Sequence, residues 1–202
     1  MVRKSDPQKR MQLLTAALRL FVEKGVENTS TAEIAKAAGT ASGTLFLYFP
    51  TKQDLVSELV LKIARDQSES MDGVMDPSVP AKETFEAIWH RIIGWFLENM
   101  DAYLYQQQVR DTALVPQEVV EESGRFFGYF YAATQKGLDE GAIKPYPLEI
   151  LGGFLYQDIV AVMNILKAQP DAAIREETIH MGFEIFWNGI KARQTTAQGE
   201  PK

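Results

Sequence analysis

The sequence of 202 residues contains no cysteine. This absence excludes disulfides, zinc–thiolate sites, iron–sulfur clusters and thiol nucleophiles. Histidine is also scarce, since His90 and His180 are the only two, and neither has a recognisable nucleophile or metal partner in the sequence. No glycine-rich phosphate loop follows a strand pattern. We therefore predict no metal site, no cofactor and no enzymatic activity.

Long apolar runs are missing as well. No uninterrupted apolar run exceeds five residues, as at 159–163, whereas a transmembrane helix needs roughly 20. The N-terminus is polar and basic and lacks the apolar stretch of a secretory signal. These two absences predict a cytoplasmic protein that has no membrane partner.

Strand patterns are absent, because no segment alternates apolar and polar residues over the length of a strand. Apolar residues instead recur at threefold and fourfold spacing, which predicts an all-α protein of about nine helices. Residues 71–80, which include two prolines and a glycine, are predicted to form a loop, and residues 195–202 a disordered tail. The expected helices cover residues 8–24, 31–38, 42–49, 51–70, 81–99, 101–112, 116–140, 147–168 and 171–193.

Charge is distributed unevenly along the chain. The total is −6, yet residues 1–65 contain ten Lys and Arg against six Asp and Glu, whereas residues 66–202 contain eleven against twenty-one. This segregation favours a small module that faces a polyanion and a larger module that does not. The alternative is that both charge groups are simply the solvated faces of an ordinary helical protein.

Two short predicted helices lie on either side of a glycine-containing turn. Ser30 and Glu33 form a capping-box pattern at the start of the first, and Gly39 suits the positive φ that the turn requires. The second helix opens with Ser42 and Gly43, small residues that allow close approach to another molecule. This arrangement predicts a helix-turn-helix, whose second helix enters the major groove of DNA.

Residues 31–39 (TAEIAKAAG) followed by residues 42–55 (SGTLFLYFPTKQDL) closely resemble the TetR family of bacterial transcription regulators. The resemblance covers roughly residues 8–65, and the remainder agrees only in length and helical pattern. It implies a three-helix DNA-binding domain at residues 1–52, with a recognition helix at about 42–48, and a ligand-binding and dimerisation domain at 53–194. The implied function is a homodimeric repressor that a small effector releases from a pseudo-palindromic operator, although activators also exist in the family.

The resemblance also implies roles for individual residues at the DNA. Thr31 would bind a phosphate at a helix start, unless it only caps that helix. The backbone-clamping positions are Thr44, Tyr48 and Lys52, and the base-contacting positions are Ala32, Ala41, Ser42, Gly43 and Leu47. None of the latter carries a long bidentate donor, which leaves thymine methyl contacts, a serine hydroxyl and DNA shape for sequence readout.

Two of these positions depart from the family pattern. Phe46 stands where the family usually has a tyrosine, so that either one phosphate contact is missing or the ring packs on a thymine methyl. Leu47 replaces a usually polar residue and is either an apolar groove contact or an incidental surface leucine. Basic residues near the N-terminus reach flanking DNA or are only a solubilising end; they are Arg3, Lys4, Lys9 and Arg10.

Aromatic residues concentrate in the middle of the chain, where residues 85–131 contain eleven of the twenty-one. They form either packed core or the walls of a pocket for an apolar or aromatic small-molecule effector. In the pocket interpretation Arg110 contacts an anionic group of the ligand; otherwise it pairs with Asp111 or another surface carboxylate. Asp158 lies in the pocket or faces outward. The predicted pocket residues are Trp89, Ile93, Phe96, Tyr103, Gln107, Arg110, Phe127, Phe130, Phe154 and Asp158.

The last two predicted helices are apolar on more than one side, which is typical of helices buried twice. We expect one side to face the protein's own core and the other a second subunit, in a four-helix bundle across a twofold axis. Gly152 and Gly153 would permit close helix approach. The predicted interface residues are Leu151, Leu155, Val162, Leu166, Ile179, Phe183, Phe186 and Ile190. A constitutive DNA-binding or interaction module with a solid aromatic core remains the alternative.

Overall fold

The computed structural model of the protein describes residues 6–110 and 112–193, and over these ranges it is all-α. Within these two ranges lie ten α-helices, one 3₁₀ turn at Arg125–Phe127 and a single isolated β-bridge between Ile143 and Lys191. The α-helices are α1 Pro7–Lys24, α2 Thr31–Ala37, α3 Ser42–Tyr48, α4 Lys52–Glu69, α5 Ala81–Glu98, α6 Met100–Val109, α7 Gln117–Gly124, α8 Gly128–Asp139, α9 Leu148–Leu166 and α10 Ala172–Ile190.

Local capping fixes where the N-terminal helices begin. At α2 the Ser30 hydroxyl accepts from the Glu33 N–H at 3.2 Å, and the Glu33 carboxylate accepts from the Ser30 N–H at 3.0 Å. Thr51 and Asp54 form the same reciprocal pair at α4. Each pair satisfies two backbone donors that a helix start leaves without partners, and the predicted capping box of Ser30 and Glu33 is confirmed.

The largest difference from the sequence prediction concerns residues 116–140, expected as one helix. In the structure α7 ends at Gly124, the 3₁₀ turn follows, and α8 begins at Gly128. Two glycines four residues apart weaken a helix interior, which explains the interruption. Predictions that fall on residues 1–5, 111 and 194–202, including those for Arg3, Lys4, Asp111 and the tail, lie outside the described residues.

The chain packs as two compact units, of which the first contains Met1–Glu69 and Trp95–Phe127. Its core holds Leu13, Leu14, Phe21, Ile34, Leu45 and Leu55 from α1 to α4. Tyr105 of α6 completes this core: its ring stacks on Phe21 at a centroid distance of 5.9 Å, and its hydroxyl donates to the Val56 carbonyl at 2.8 Å. Burial raises the pKa of Tyr105, so this hydroxyl stays protonated.

The second unit contains Ser70–Gly94 and Gly128–Lys202. Its core is largely aromatic, because Trp89 of α5 stacks on Phe186 of α10 and donates its indole N–H to the Ile179 carbonyl at 2.9 Å. Phe85 contacts Phe130 and Trp187 through their rings. These contacts hold α5, α8 and α10 together, and α9 packs against both α8 and α10.

These packing units do not coincide with the expected functional boundary between residues 52 and 53. Helix α4 crosses that boundary and helices α6 and α7 follow it in sequence, yet all three belong to the first unit. A packing unit is a set of residues that are buried together, whereas a functional domain is defined by the molecule that it binds. The boundary between the DNA-binding and ligand-binding domains therefore stays a prediction.

Helix α9 is, among the described residues, the one helix long and apolar enough to cross a membrane by length and composition. In this fold its side chains Leu151, Leu155 and Ile159 are buried within the second unit. A core helix of a globular protein meets the same criterion, which is therefore weak evidence for a membrane span.

A glycine of α10 is required where three helices meet. A Cβ atom on Gly182 would lie 2.5 Å from Val162 Cγ2 of α9 and 2.8 Å from Trp89 Cζ2 of α5. We predict that Gly182→Ala lowers the free energy of unfolding by about 1–3 kcal/mol, because the packed neighbours must move. Urea denaturation at fixed protein concentration measures this loss.

Gly189→Ala is the matched control on the same helix, since a Cβ there meets nothing within 4 Å. It should leave stability unchanged or raise it by about 0.5–1 kcal/mol through helix propensity. Equal effects of the two substitutions would contradict the packing argument.

Candidate nucleic-acid interface

Helices α2 and α3 have seven residues each and are held in place by their neighbours. Ile34 of α2 and Leu45 of α3 are fully buried in the core of the first unit. Between the helices Gly39 adopts a φ of +65° and the Thr40 N–H donates to the Ala35 carbonyl at 2.9 Å. The predicted helix-turn-helix, including the positive φ at Gly39, is present.

One face of α3 is exposed and apolar. Gly43, Phe46 and Leu47 are spaced by three and four residues and so lie on one side of the helix, opposite buried Leu45. Phe46 is 45% exposed and Leu47 78% exposed. This face can approach another molecule closely, and it can make apolar contacts but no ionic ones.

Polar groups lie beside this face in a shallow cleft. Thr31, Phe46 and Lys52 line it together with residues 27–30. The Lys52 ammonium donates to the Glu27 carbonyl at 3.3 Å, which places its charge at the cleft, and the buried Thr29 hydroxyl donates to the Gly25 carbonyl at 2.8 Å. Thr31 and Lys52, two of the predicted phosphate contacts, are therefore brought together.

Tyr48 joins the end of α3 to the start of α1. Its hydroxyl oxygen accepts a hydrogen bond from the Asp6 N–H at 3.1 Å. The hydroxyl hydrogen remains available for an acceptor such as a phosphate oxygen. Tyr48 can therefore position α1 and contact DNA at once.

Two ion pairs stabilise the first unit around the interface. The Lys24 ammonium lies 2.8 Å from Glu33 and, with the Ser30 hydrogen bonds, lowers the pKa of Glu33 to about 2. Because the pKa of Glu33 is lower in the folded protein than in the unfolded chain, its ion pair and hydrogen bonds stabilise the fold at neutral pH. This stabilisation is lost as the pH falls toward 2. Arg10 is 2.7 Å from Glu58 and stacks over the Phe49 ring. Arg10 is therefore part of the fold and is not a free basic arm.

The remaining predicted DNA contacts are accessible to different degrees. Ala32, Ala41 and Gly43 are exposed, whereas Ser42 and Thr44 are half-buried, as is Lys9 of α1. Ala41 precedes α3 without a side-chain cap, so the first backbone N–H groups of the helix lack a side-chain partner.

Known proteins are similar to this chain both in sequence and in fold. The family described as "Bacterial regulatory proteins, tetR family" matches residues 13–59, from α1 into α4. The HTH-type transcriptional repressor KstR2 of Rhodococcus jostii is 31% identical over 180 residues, which cover 85% of each chain. The chain belongs to the TetR family.

Two further comparisons extend the TetR-family likeness to nearly the whole chain. The HTH-type regulator YhgD of Bacillus subtilis is 24% identical over 180 residues, covering 86% of this chain and 92% of that protein. The crystal structure of a TetR-family regulator from Shewanella has a TM-score of 0.84 at 26% identity, over 92% of this chain and 99% of that one. The protein is thus a transcription regulator and not an enzyme, as the sequence predicted.

TetR-family regulators usually act as dimers with small-molecule effectors. The ten predicted pocket residues divide equally between the two packing units, with Phe96, Tyr103, Gln107, Arg110 and Phe127 in the first. Trp89, Ile93 and Phe130 are buried in the second unit. The prediction for Phe154 is wrong, because its side chain is 62% exposed and lines no interior of its unit.

Two polar groups are notable among the inner-facing residues. Desolvation raises the pKa of the half-buried Asp158 carboxyl of α9 above its ordinary range. The Gln108 side-chain oxygen of α6 is buried and has no hydrogen-bond partner among the described residues. The predicted pocket residues include the neighbouring Gln107 but not Gln108.

The predicted dimer residues require correction. All eight are buried within the second unit, so they have almost no accessible surface for a partner to cover. The opposite faces of the same helices are exposed and apolar, through Ile150, Phe154 and Ile165 on α9 and Ile174, Met181 and Ile185 on α10. Both helices do carry two apolar sides, but the predicted residues belong to the inner one.

Lys52 offers a direct test of the interface. Replacing Lys52 by Ala removes one cation beside the cleft, and we expect weaker binding to related and unrelated duplexes alike. The slope of log affinity against log salt should become shallower by about one ion for each phosphate that the lysine no longer neutralises. Fluorescence anisotropy over a salt series measures both effects.

Lys191→Ala is the control, because it makes the same change of charge at the end of α10. Its salt slope should equal that of the unaltered protein. An unchanged slope for Lys52→Ala would show that Lys52 does not contact the phosphate backbone.

Proposed function

We propose that the protein is a homodimeric transcriptional repressor that binds a pseudo-palindromic operator in the cytoplasm and is released by a small, largely hydrophobic effector. The observation that carries the DNA-binding part is the exposed face of α3 beside the cleft that holds Thr31 and Lys52. The name of KstR2, a transcriptional repressor 31% identical to this chain, supports the direction of regulation.

The interface with DNA combines close approach with backbone contacts. Gly43, Phe46 and Leu47 face the major groove, while Lys52 and the hydroxyls of Thr31, Thr44 and Tyr48 bind phosphates on either side. Phosphate contacts position the protein and carry no sequence information, so base selection depends on the exposed face of α3. The half-buried Ser42 hydroxyl adds one polar group to it.

The exposed apolar faces of α9 and α10 support dimerisation. Ile150, Phe154 and Ile165 are spaced by multiples of a helical turn on α9, and Met181 and Ile185 lie on a matching face of α10. The two helices pack on each other, and we infer that these side chains are parts of one apolar surface. A second copy that covers it would supply the second recognition helix, for a major groove roughly 34–36 Å away.

A buried polar group in the first unit supports an effector site. Gln108 Oε1 has no hydrogen-bond partner among the described residues. Buried polar groups without partners are uncommon in native folds, and a bound ligand is one way to satisfy them. An effector that prefers the dimer geometry incompatible with DNA shifts the population away from the operator, by no more than its differential affinity.

A constitutive regulator is the second candidate, and one observation favours it. The rings of Phe85, Trp89, Phe183, Phe186 and Trp187 pack against one another and fill the core of the second unit. A thermal-shift screen of apolar and aromatic compounds distinguishes the two candidates, since only a ligand-responsive protein gains melting temperature. If the screen finds no compound that stabilises the protein, the result favours constitutive DNA binding.

The proposed function is tested with DNA from immediately upstream of the protein's own gene. We expect tight binding that resists a scrambled competitor, at two proteins per site, and release by any compound that raises the melting temperature. Anisotropy with a salt series provides the measurement. Absence of binding even at low salt, where non-specific contacts still register, would rule out DNA binding.

The dimer is tested separately on the corrected surface. Ile185 is 70% exposed, and Ile185→Glu would place a charge in the proposed contact, so we expect monomers in sedimentation velocity and loss of two-per-site binding. Val120→Glu is the control on α7, where the side chain is 48% exposed. A dimer that persists in Ile185→Glu would place the interface elsewhere.

A further inference from the structure

The exposed face of α3 contains no charged or amide side chain. Its residues are Gly43, Phe46 and Leu47, and the helix is otherwise Ser, Thr, Leu and Tyr. Leu47, at 78% exposed, has the greatest exposure of any large apolar side chain among the described residues. A single exposed leucine is ordinary on a protein surface, but this one lies at the centre of the proposed DNA contact.

The surroundings of Leu47 leave its methyl groups accessible. Gly43 lies one helical turn before Leu47 on the same exposed face. A Cβ at Gly43 would meet nothing within 4 Å, so the surface beside Leu47 is open. Phe46, by contrast, belongs to the cleft with Thr31 and Lys52.

Hydrogen-bond donors near α3 indicate what covers its apolar face. The cleft that Phe46 lines also holds the Lys52 ammonium and the Thr31 hydroxyl, and the hydroxyl of Tyr48, next to Leu47 in the chain, has a hydrogen left to donate. Donors beside an apolar face match an anionic partner that also has apolar groups better than they match the apolar surface of a second protein. Duplex DNA has that character where a thymine methyl lies between two phosphate backbones.

Resting on the DNA-binding function above, we propose that Leu47 is a specificity-determining residue that reads the 5-methyl group of thymine in the major groove. All four bases present hydrogen-bonding groups at the major-groove edge, and thymine alone presents a methyl group there, beside its O4 acceptor. Leu47 would cover this methyl group by apolar contact, whereas at the other bases it would cover polar groups without a partner. Leu47 therefore selects thymine through contact with its methyl group.

The test removes methyl groups from DNA without changing base pairing. A duplex is first enriched from a randomised library by the full-length protein, and each thymine is then replaced singly by uracil. We expect one or two thymines per half-site at which uracil weakens binding about fourfold, the value for one buried methyl-sized group. A second duplex carries cytosine in place of one of these thymines. Methylation of that cytosine to 5-methylcytosine should strengthen binding by a similar factor.

The Leu47→Ala variant links the effect to this side chain. Its affinity should be lower on the enriched duplex, and its ratio of thymine to uracil affinity should fall from about four to about one at the same positions. Val120→Ala is the control, because Val120 is an exposed apolar residue on α7, and this variant should keep the fourfold ratio. Thermal melting verifies that both variants are folded.

The outcomes separate this proposal from the function on which it rests. Binding to an enriched duplex that is equally tight with uracil, or a ratio unchanged in Leu47→Ala, overturns the role of Leu47 and leaves DNA binding intact. An altered oligomeric state of Leu47→Ala with an unchanged ratio assigns Leu47 to a protein contact and also overturns it. Failure to enrich any duplex overturns both.

Discussion

The interface depends on burial of one side of two helices that are too short to be stable alone. A seven-residue helix forms at most three internal backbone hydrogen bonds, fewer than are needed to offset the entropy of its nucleation. Leu45 and Ile34 are buried in the core of the first unit, and that burial holds α2 and α3 in place. Because the inner face of α3 supplies the stability, its outer face is free to vary with the partner.

The outer face divides the tasks of DNA recognition between different chemical groups. The ammonium of Lys52 and the hydroxyls of Thr31 and Tyr48 suit phosphate, which is the same in every sequence. The apolar groups of Phe46 and Leu47 suit base edges, which differ. In the proposed function, charge near α3 governs overall affinity and its salt dependence, and shape and apolar contact govern selection.

Much of the fold was predictable because its signals are local. The capping pairs Ser30–Glu33 and Thr51–Asp54 and the turn at Gly39 are short-range patterns with one structural solution each, and all three are present. The division between α7 and α8 was missed because a period of 3.6 continues through Gly124 and Gly128, where backbone propensity decides the outcome.

The sites were predictable only where one side of an element is apolar. On α3 a single polar-free face is exposed, and its members could be identified from the sequence. On α9 both sides are apolar, so periodicity could not distinguish buried Leu155 from exposed Phe154. Which side faces the core depends on Trp89 and Gly182, residues far away in the sequence that close the core from α5 and α10.

Tyr105 limits how this protein can be recombined with its relatives. Its ring stacks on Phe21 and its hydroxyl binds the backbone of α4, although α6 lies more than thirty residues beyond that helix in the sequence. A chimera that fuses only the first 52 residues to the effector module of a relative would lose the stacking of Phe21 on Tyr105. Under the proposed function, operator specificity is then exchanged most simply by replacing single exposed residues of α3 such as Leu47, whereas a swap of the whole module must include α6 with α1 to α4.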